Sequence, residues 1–402
     1  MKLAIHGGEP ASPRFLGYGH QDISDADIQA VVDCLRGDYL TCGPATERFE
    51  RAIANATGAT YVTAVANGTA ALHVACLAAG IGEGDEVIVS SITFAASANC
   101  VCYCGATPVF ADIDSCTWNI DPASIRAKIT SRTKAVVAVD FGGVHVDSDA
   151  IRAICDEFDL VFIEDAAHSI GTCHGGRPVG SIADLTTFSF HPVKTITTGE
   201  GGAVATNNPD FARKVLLYAK HGITRNPEMM YKKDEGAWYY EQLELGYNYR
   251  ISDIEAALGV SQLTRLNQFA RRRRELVAFY NERFASIPEV HFQYDSSPEQ
   301  TVRHLYCLEF DTDVLGMSRR FIFDALRAEN IGVNVHYLPV YLLPYYRNLG
   351  HERGECPNAE KYYDRAVTLP LHCCLTAEDA QHVVDAVSKV VEWCRASKEK
   401  KQ

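Results

Sequence analysis

No C-x-x-C pair occurs among the 14 cysteines. That removes the usual spacing of a zinc site or a thioredoxin-like redox motif. The tightest groups, Cys100/Cys102/Cys104 and Cys373/Cys374, lie in apolar runs, where cysteine acts as a small hydrophobe. No apolar run is long enough to span a bilayer, no internal repeat or low-complexity tract occurs, and "MKLAIHGGEP" carries no secretory pattern. A reduced, cytoplasmic protein is therefore expected. Basic residues are in short supply: 38 Lys and Arg stand against 51 Asp and Glu, a formal net charge of -13. Such a surface repels phosphate polymers, which argues against nucleic-acid or membrane-surface partners. No metal is expected.

What is present fits an ordinary enzyme of 402 residues, long enough for a large domain and a smaller one. Ser24 and Asp27 form a capping box before the helical pattern of Ile28, Val31, Val32 and Leu35, which Gly37 ends. "ATERFERAIANATG", "GTAALHVACLAAG", "AASANCVCYCG", "PASIRAKI" and "DAIRAICDEF" read as further helices. Between them, "YVTAVA", "DEVIVS", "TPVFADI", "KAVVAVDF", "LVFIED" and "TTFSF" read as strands that are apolar throughout. Strands of that kind, separated by helices, belong to a mostly parallel sheet covered on both faces. The expected fold class is α/β, a three-layer α/β/α domain over residues 1–255. A smaller α+β C-terminal domain over residues 256–402 follows. It opens with one long helical segment, "SDIEAALGVSQLTRLNQFARRRRELVAFYNERFA", and continues through short strands "HLYCLEF" and "VNVHYLPV". Consecutive helical positions point all round the axis, so Arg271 to Arg274 read as a solvated helix or an interface feature.

Ligands of an open parallel sheet bind beyond the carboxyl ends of its strands, and four such loops carry unusual residues. Gly68 and Thr69 open a helix where close backbone approach and free amides suit a phosphate, although an ordinary capped helix start explains them too. Phe94 offers a ring for stacking on a planar ligand, or a core side chain. Asp165 ends a strand with His168 three residues on; a carboxylate at that depth needs a partner, and capping of a following helix is an equal reading. Ser189 ends another strand, and Lys194 lies five residues beyond it, in a loop where a surface charge would be unremarkable. Together the loops supply a phosphate seat, an aromatic plate, a buried acid and an amine. Those are the requirements of pyridoxal 5'-phosphate.

The motifs "NGTAALHVA", "SITFAASAN", "FIEDAAHSIG", "FSFHPVKTITTGEGGAVATN" and "LGYNYRISDIEAALGVSQL" resemble, in order and spacing, those of the DegT and StrS group of sugar aminotransferases, over nearly the whole chain. The resemblance implies the type I fold of pyridoxal-phosphate-dependent transferases and a homodimer with shared active sites. It implies that Lys194 holds the cofactor and that Asp165 partners its ring nitrogen. Phe94 corresponds to the stacking ring, His168 to a residue near the phenolic oxygen, and Gly68, Thr69 and Ser189 to phosphate ligands. Asn248 corresponds to an asparagine reaching the phosphate of the neighbouring subunit. Arg250, His336 and Tyr337 are the substrate-side candidates.

Within the family, "HPVKTITTGEGG", "VNVHYLPVYLLPYYRNLG" and "CPNAEKYYDRAVTLPLH" most resemble members of pseudaminic acid biosynthesis. These move an amino group from L-glutamate to C4 of a UDP-linked 4-keto-6-deoxy-N-acetylhexosamine. Two departures bear on the nucleotide-sugar substrate: Cys42 stands in "LTCGP" where glutamine is commoner, and "LAIHGGEP" is similar to members that aminate cyclitols. A dTDP-4-keto-6-deoxyhexose or an inosose is the alternative acceptor. A non-catalytic, cofactor-binding regulatory protein is the alternative outside enzymology.

Overall fold

The computed structural model describes residues 2–233 and 235–399. Helix α1 (Asp25–Arg36) starts as its sequence demands. The Asp27 amide donates to Ser24 Oγ at 3.3 Å, and the Ser24 amide donates to Asp27 Oδ2 at 2.8 Å. Helix α2 (Pro44–Thr57) begins on proline, whose missing N–H costs nothing in the first turn. Strands β1 (Tyr61–Val65), β2 (Glu86–Ser90), β3 (Thr107–Ala111), β4 (Thr133–Val139), β5 (Val161–Asp165), β6 (Leu185–Ser189) and β7 (Gly202–Thr206) form one seven-stranded sheet. Its spatial order is β1-β7-β6-β5-β4-β2-β3. Strand β7 runs antiparallel to both neighbours, and the other pairings are parallel.

Alternation along the strands supplies both faces of the sheet. Val87 and Val89 of β2 share one core with α3 (Gly68–Ala78), α4 (Ala96–Tyr103) and Val215 of α7 (Pro209–Ala219) on one side. Ile88, between them, packs on the other side with Ile125 of α5 (Pro122–Lys128) and Ile151 and Ile154 of α6 (Ser148–Phe158). Each such side chain contributes about 1.5–3 kcal/mol when fully buried. A second core surrounds the antiparallel sheet of β8 (Val290–Phe292), β9 (Tyr306–Phe310) and β10 (Ala366–Leu369), and Leu3 and Leu16 from the start of the chain pack into it.

Three sequence expectations change here. The long helical segment is two helices, α8 (Asp253–Thr264) and α9 (Leu266–Phe284), broken at Arg265. The Arg265 guanidinium is drawn to Asp22 and Asp27 at 2.8 and 2.6 Å and lies over the Phe269 ring. "VNVHYLPV" is not a strand: it makes one bridge, Asn334 to Thr368, and then leaves the sheet edge. The arginine run is not simply solvated. Arg273 is buried and donates to the carbonyls of Arg303, His304 and Leu371, while Arg272 and Arg274 donate to those of Leu375 and Thr301. Backbone acceptors that would otherwise be buried without partners are satisfied in this way.

Candidate active site

A cavity of about 940 Å³ opens beyond the carboxyl ends of the parallel strands. Gly68, Thr69, Phe94, Asp165, His168, Ser189, Lys194, His336 and Tyr337 all line it. Four strand-end loops and one irregular C-terminal segment therefore converge on one space, as the sheet topology requires.

At its floor, the Asn67 side chain accepts the Ala70 amide at 2.8 Å and starts α3, with Gly68 and Thr69 at the cavity wall. A Cβ on Gly68 would lie 2.8 Å from Ser189 Cβ, and one on Gly202 would lie 2.4 Å from the Asn67 carbonyl oxygen. The two glycines thus let β6, β7 and the start of α3 close around a small seat. Helix amides, the Thr69 and Ser189 hydroxyls and the absence of any Cβ at Gly68 fit a phosphate group.

Asp165 is buried at 4 % exposure at the end of β5. Ser97 Oγ donates to its Oδ2 at 2.6 Å, and the Ala167 amide to its Oδ1 at 3.2 Å. Burial pushes this carboxyl above the ordinary carboxylate range, while these two donors and the charge of Lys194 pull it back. No helix follows Asp165, so the capping alternative falls away. Lys194 is only half-buried by exposure, yet its ammonium is enclosed enough that desolvation pushes its pKa down to about 8, with Asp165 acting in the opposite sense. The pair fits a pyridine ring and an aldehyde between them: an acid to face a ring nitrogen and an amine poised to lose its proton.

Burial, with the Lys194 charge second, holds His168, His304 and His336 below the ordinary imidazole range, His336 down to about 4. These rings are neutral at pH 7. His336 Nδ1 lies 2.8 Å from Thr368 Oγ1, and the Tyr337 hydroxyl lies 3.5 Å from His168 Nε2. Phe94 is 63 % exposed at the cavity wall, its ring centroid 6.4 Å from that of Tyr337.

Asn248 and Arg250 do not line this cavity. Both are exposed, with Arg250 Nε donating to Asn248 Oδ1 at 3.0 Å, whereas Tyr249 between them faces the cavity. Residues overlooked in the sequence include Ser97, Tyr18, His304 and Asn334. Ser97 was detectable, since it follows Phe94 by three positions, one turn on. Tyr18, His304 and Asn334 come from irregular segments and leave no periodic signal.

A model of the DegT/DnrJ/EryC1/StrS aminotransferase family matches residues 21–388. The spore coat polysaccharide biosynthesis protein SpsC of Bacillus subtilis (strain 168) is 41% identical over 380 residues, covering 94% of this chain and 97% of SpsC. The structure is similar to that of Helicobacter pylori PseC, an aminotransferase involved in the biosynthesis of pseudoaminic acid. The TM-score is 0.86 at 30% identity, over 94% of this chain and 100% of PseC. Spr1654 from Streptococcus pneumoniae in its PLP-form matches with a TM-score of 0.86 and 32% identity, over 94% of this chain and 99% of that one. With the converging loops, these likenesses place the chain in the DegT/DnrJ/EryC1/StrS aminotransferase family, as a pyridoxal-phosphate-dependent transaminase of the type I fold.

Proposed function

We propose that this enzyme moves an amino group from L-glutamate to C4 of a UDP-linked 4-keto-6-deoxy-N-acetylhexosamine, as in pseudaminic acid biosynthesis. The observation that carries the reading is one cavity holding the Lys194 amine, the Asp165 carboxyl and the Gly68–Thr69 seat, in a chain similar to PseC over nearly its full length. SpsC, a polysaccharide biosynthesis protein, supports a sugar acceptor.

Gly68, Thr69 and Ser189 would hold the cofactor's phosphate, Phe94 would cover its ring, and His168 would face the phenolic oxygen. When bound, pyridoxal phosphate supplies an aldehyde that accepts the amine and a ring that draws off carbanion charge. Asp165, steadied by Ser97 and Ala167, keeps a proton on the ring nitrogen. Lys194 takes the proton from the donor's α-carbon as a base and returns it as an acid; a pKa near 8 suits both directions at neutral pH. His336 and Tyr337 orient the acceptor sugar above Lys194. Asn248 and Arg250 serve the site of a neighbouring subunit in a homodimer, which accounts for their position outside the cavity of their own chain. The division into domains at residues 255 and 256 is proposed as the boundary between the cofactor-holding part and the part that covers the sugar.

The test offers the glutamate-treated, aminated enzyme a panel of UDP-linked and dTDP-linked 4-keto sugars and inososes. Return of the aldehyde absorbance with a UDP-linked 4-keto sugar, and faster than with the others, is the expected outcome. Absence of turnover with every UDP-linked 4-keto sugar would remove the reading.

A further inference from the structure

Asp140, His145 and Glu164 meet on the face of the sheet away from the cavity: Asp165 lines the cavity, and Glu164, its neighbour in β5, points the opposite way. Asp140 follows β4 directly, and its amide donates to the Asp165 carbonyl at 3.2 Å. One ligand atom from each of the three side chains lies within 4.8 Å of the other two. Asp140 and Glu164 are fully buried, and the His145 side chain is 5 % exposed. Each group is held from behind. His145 Nδ1 lies 2.5 Å from the Val146 carbonyl oxygen, Thr186 Oγ1 donates to Glu164 Oε2 at 2.9 Å, and Ser169 Oγ and the Val146 amide donate to Asp140 at 2.5 and 2.9 Å. That leaves His145 Nε2 and Glu164 Oε1. They stand 3.0 Å apart without meeting in hydrogen-bond geometry, and neither has another partner among the described residues. Nothing in the transamination chemistry uses these groups.

We propose that Asp140, His145 and Glu164 bind a divalent transition cation of the zinc class. Ligand atoms held by one such ion at about 2.0–2.2 Å lie about 3.0–3.6 Å from one another. Two atoms 3.0 Å apart that do not bond each other have the spacing of neighbouring ligands, and the longer separations close when a carboxylate turns toward the ion. Charge leads to the same occupant. Among the described residues no Lys or Arg pairs with Asp140 or Glu164, so even a protonated His145 leaves one buried negative charge unbalanced. A neutral imidazole and two carboxylates balance two positive charges. The ring nitrogen favours the zinc class over magnesium or calcium, which take oxygen ligands. With its Nδ1–H given to the Val146 carbonyl, His145 presents Nε2, and the Thr186 and Ser169 hydroxyls steady the carboxylates, as the outer partners of bound metals do. The partly exposed ring of His174 stacks on that of His145, 4.8 Å between centroids, so the cluster lies one side chain below the surface. Sequence spacing holds no trace of the site, because its members come from separate elements. The ion would tie the ends of β4 and β5 together behind Asp165.

The untagged full-length chain is stripped with a chelator, titrated with zinc chloride at neutral pH and passed through a gel-filtration column. One zinc per chain should remain, and X-ray absorption should show only nitrogen and oxygen ligands at about 2.0–2.2 Å. H145Q and E164Q should leave the column without metal. T186V, which removes the hydroxyl behind Glu164, should weaken binding about 10- to 100-fold, whereas C42S and C374S should bind as the wild type does. Wild-type protein that emerges metal-free, or an ion ligated by sulfur at about 2.3 Å, would overturn the proposal, and both readouts stand whether or not a variant folds. So would zinc on nitrogen and oxygen that survives both H145Q and E164Q.

Discussion

At the scale of single residues, the site works through mutual perturbation. Lys194 loses its proton more readily than a solvated lysine because burial disfavours its charge, and only the neutral amine attacks an aldehyde. With a pKa of about 8, the rate of cofactor uptake by the apoprotein should rise about tenfold per pH unit below 8 and level off above it; a stopped-flow pH series reads this directly. A plateau beginning only above pH 10 would mean a solvated lysine. Asp165 matters for its charge more than its shape. D165N should retain cofactor binding and lose roughly 100- to 1000-fold in turnover, the usual loss when a group facing developing charge is removed. Loss of binding with unchanged turnover would assign it a structural role instead. The convergence of both residues on one cavity was legible in the sequence because Asp165 ends a strand and Lys194 lies in the loop that follows one, where topology places ligands whatever the family. Asn248 and Arg250 show the limit of that reading: residues two apart share a face, and nothing local states which face is inward. The cavity receives Tyr249, so its neighbours face out.

At the scale of elements, Gly68 decides whether the start of α3 can meet β6. G68A would bring a Cβ to 2.8 Å from Ser189 Cβ, an overpacking that should cost about 1–3 kcal/mol in urea unfolding. Asp27 joins α1 to α8: it is fully buried and accepts from Ser24, Ser261, Gln262 and Arg265. Burial pushes its carboxyl upward, but those donors outweigh it and hold the group below the ordinary range. The stabilisation is therefore complete above about pH 4 and lost as the pH falls through the lowered folded value. D27A should destabilise by about 1–3 kcal/mol at neutral pH, since it leaves the Ser261 and Gln262 donors without their buried acceptor while Asp22 still pairs with Arg265; a loss under 1 kcal/mol would show that water replaces the carboxylate. The capping box that starts α1 was readable from Ser24 and Asp27. The break at Arg265 was not, because it follows from partners more than 200 residues away, which periodicity cannot register.

At the scale of the whole molecule, the alternation of apolar strands and helices announced the covered parallel sheet, and the structure supplies it in β2 through β6. Entry of Leu3 and Leu16 into the C-terminal core had no local signal. The outward placement of Asn248 and Arg250 leads to a specific expectation: sedimentation should give twice the 44.2 kDa of one chain. Mixing K194A with N248A should then restore activity that neither variant has alone, whereas a monomer would gain nothing on mixing. The most direct test of the site as a whole is reduction of the holoenzyme with borohydride, followed by peptide mapping. One reduced phosphopyridoxyl adduct on the peptide containing Lys194, absent in K194A, is the predicted result. An adduct on a different lysine, or none in a protein that keeps its yellow colour, would contradict it.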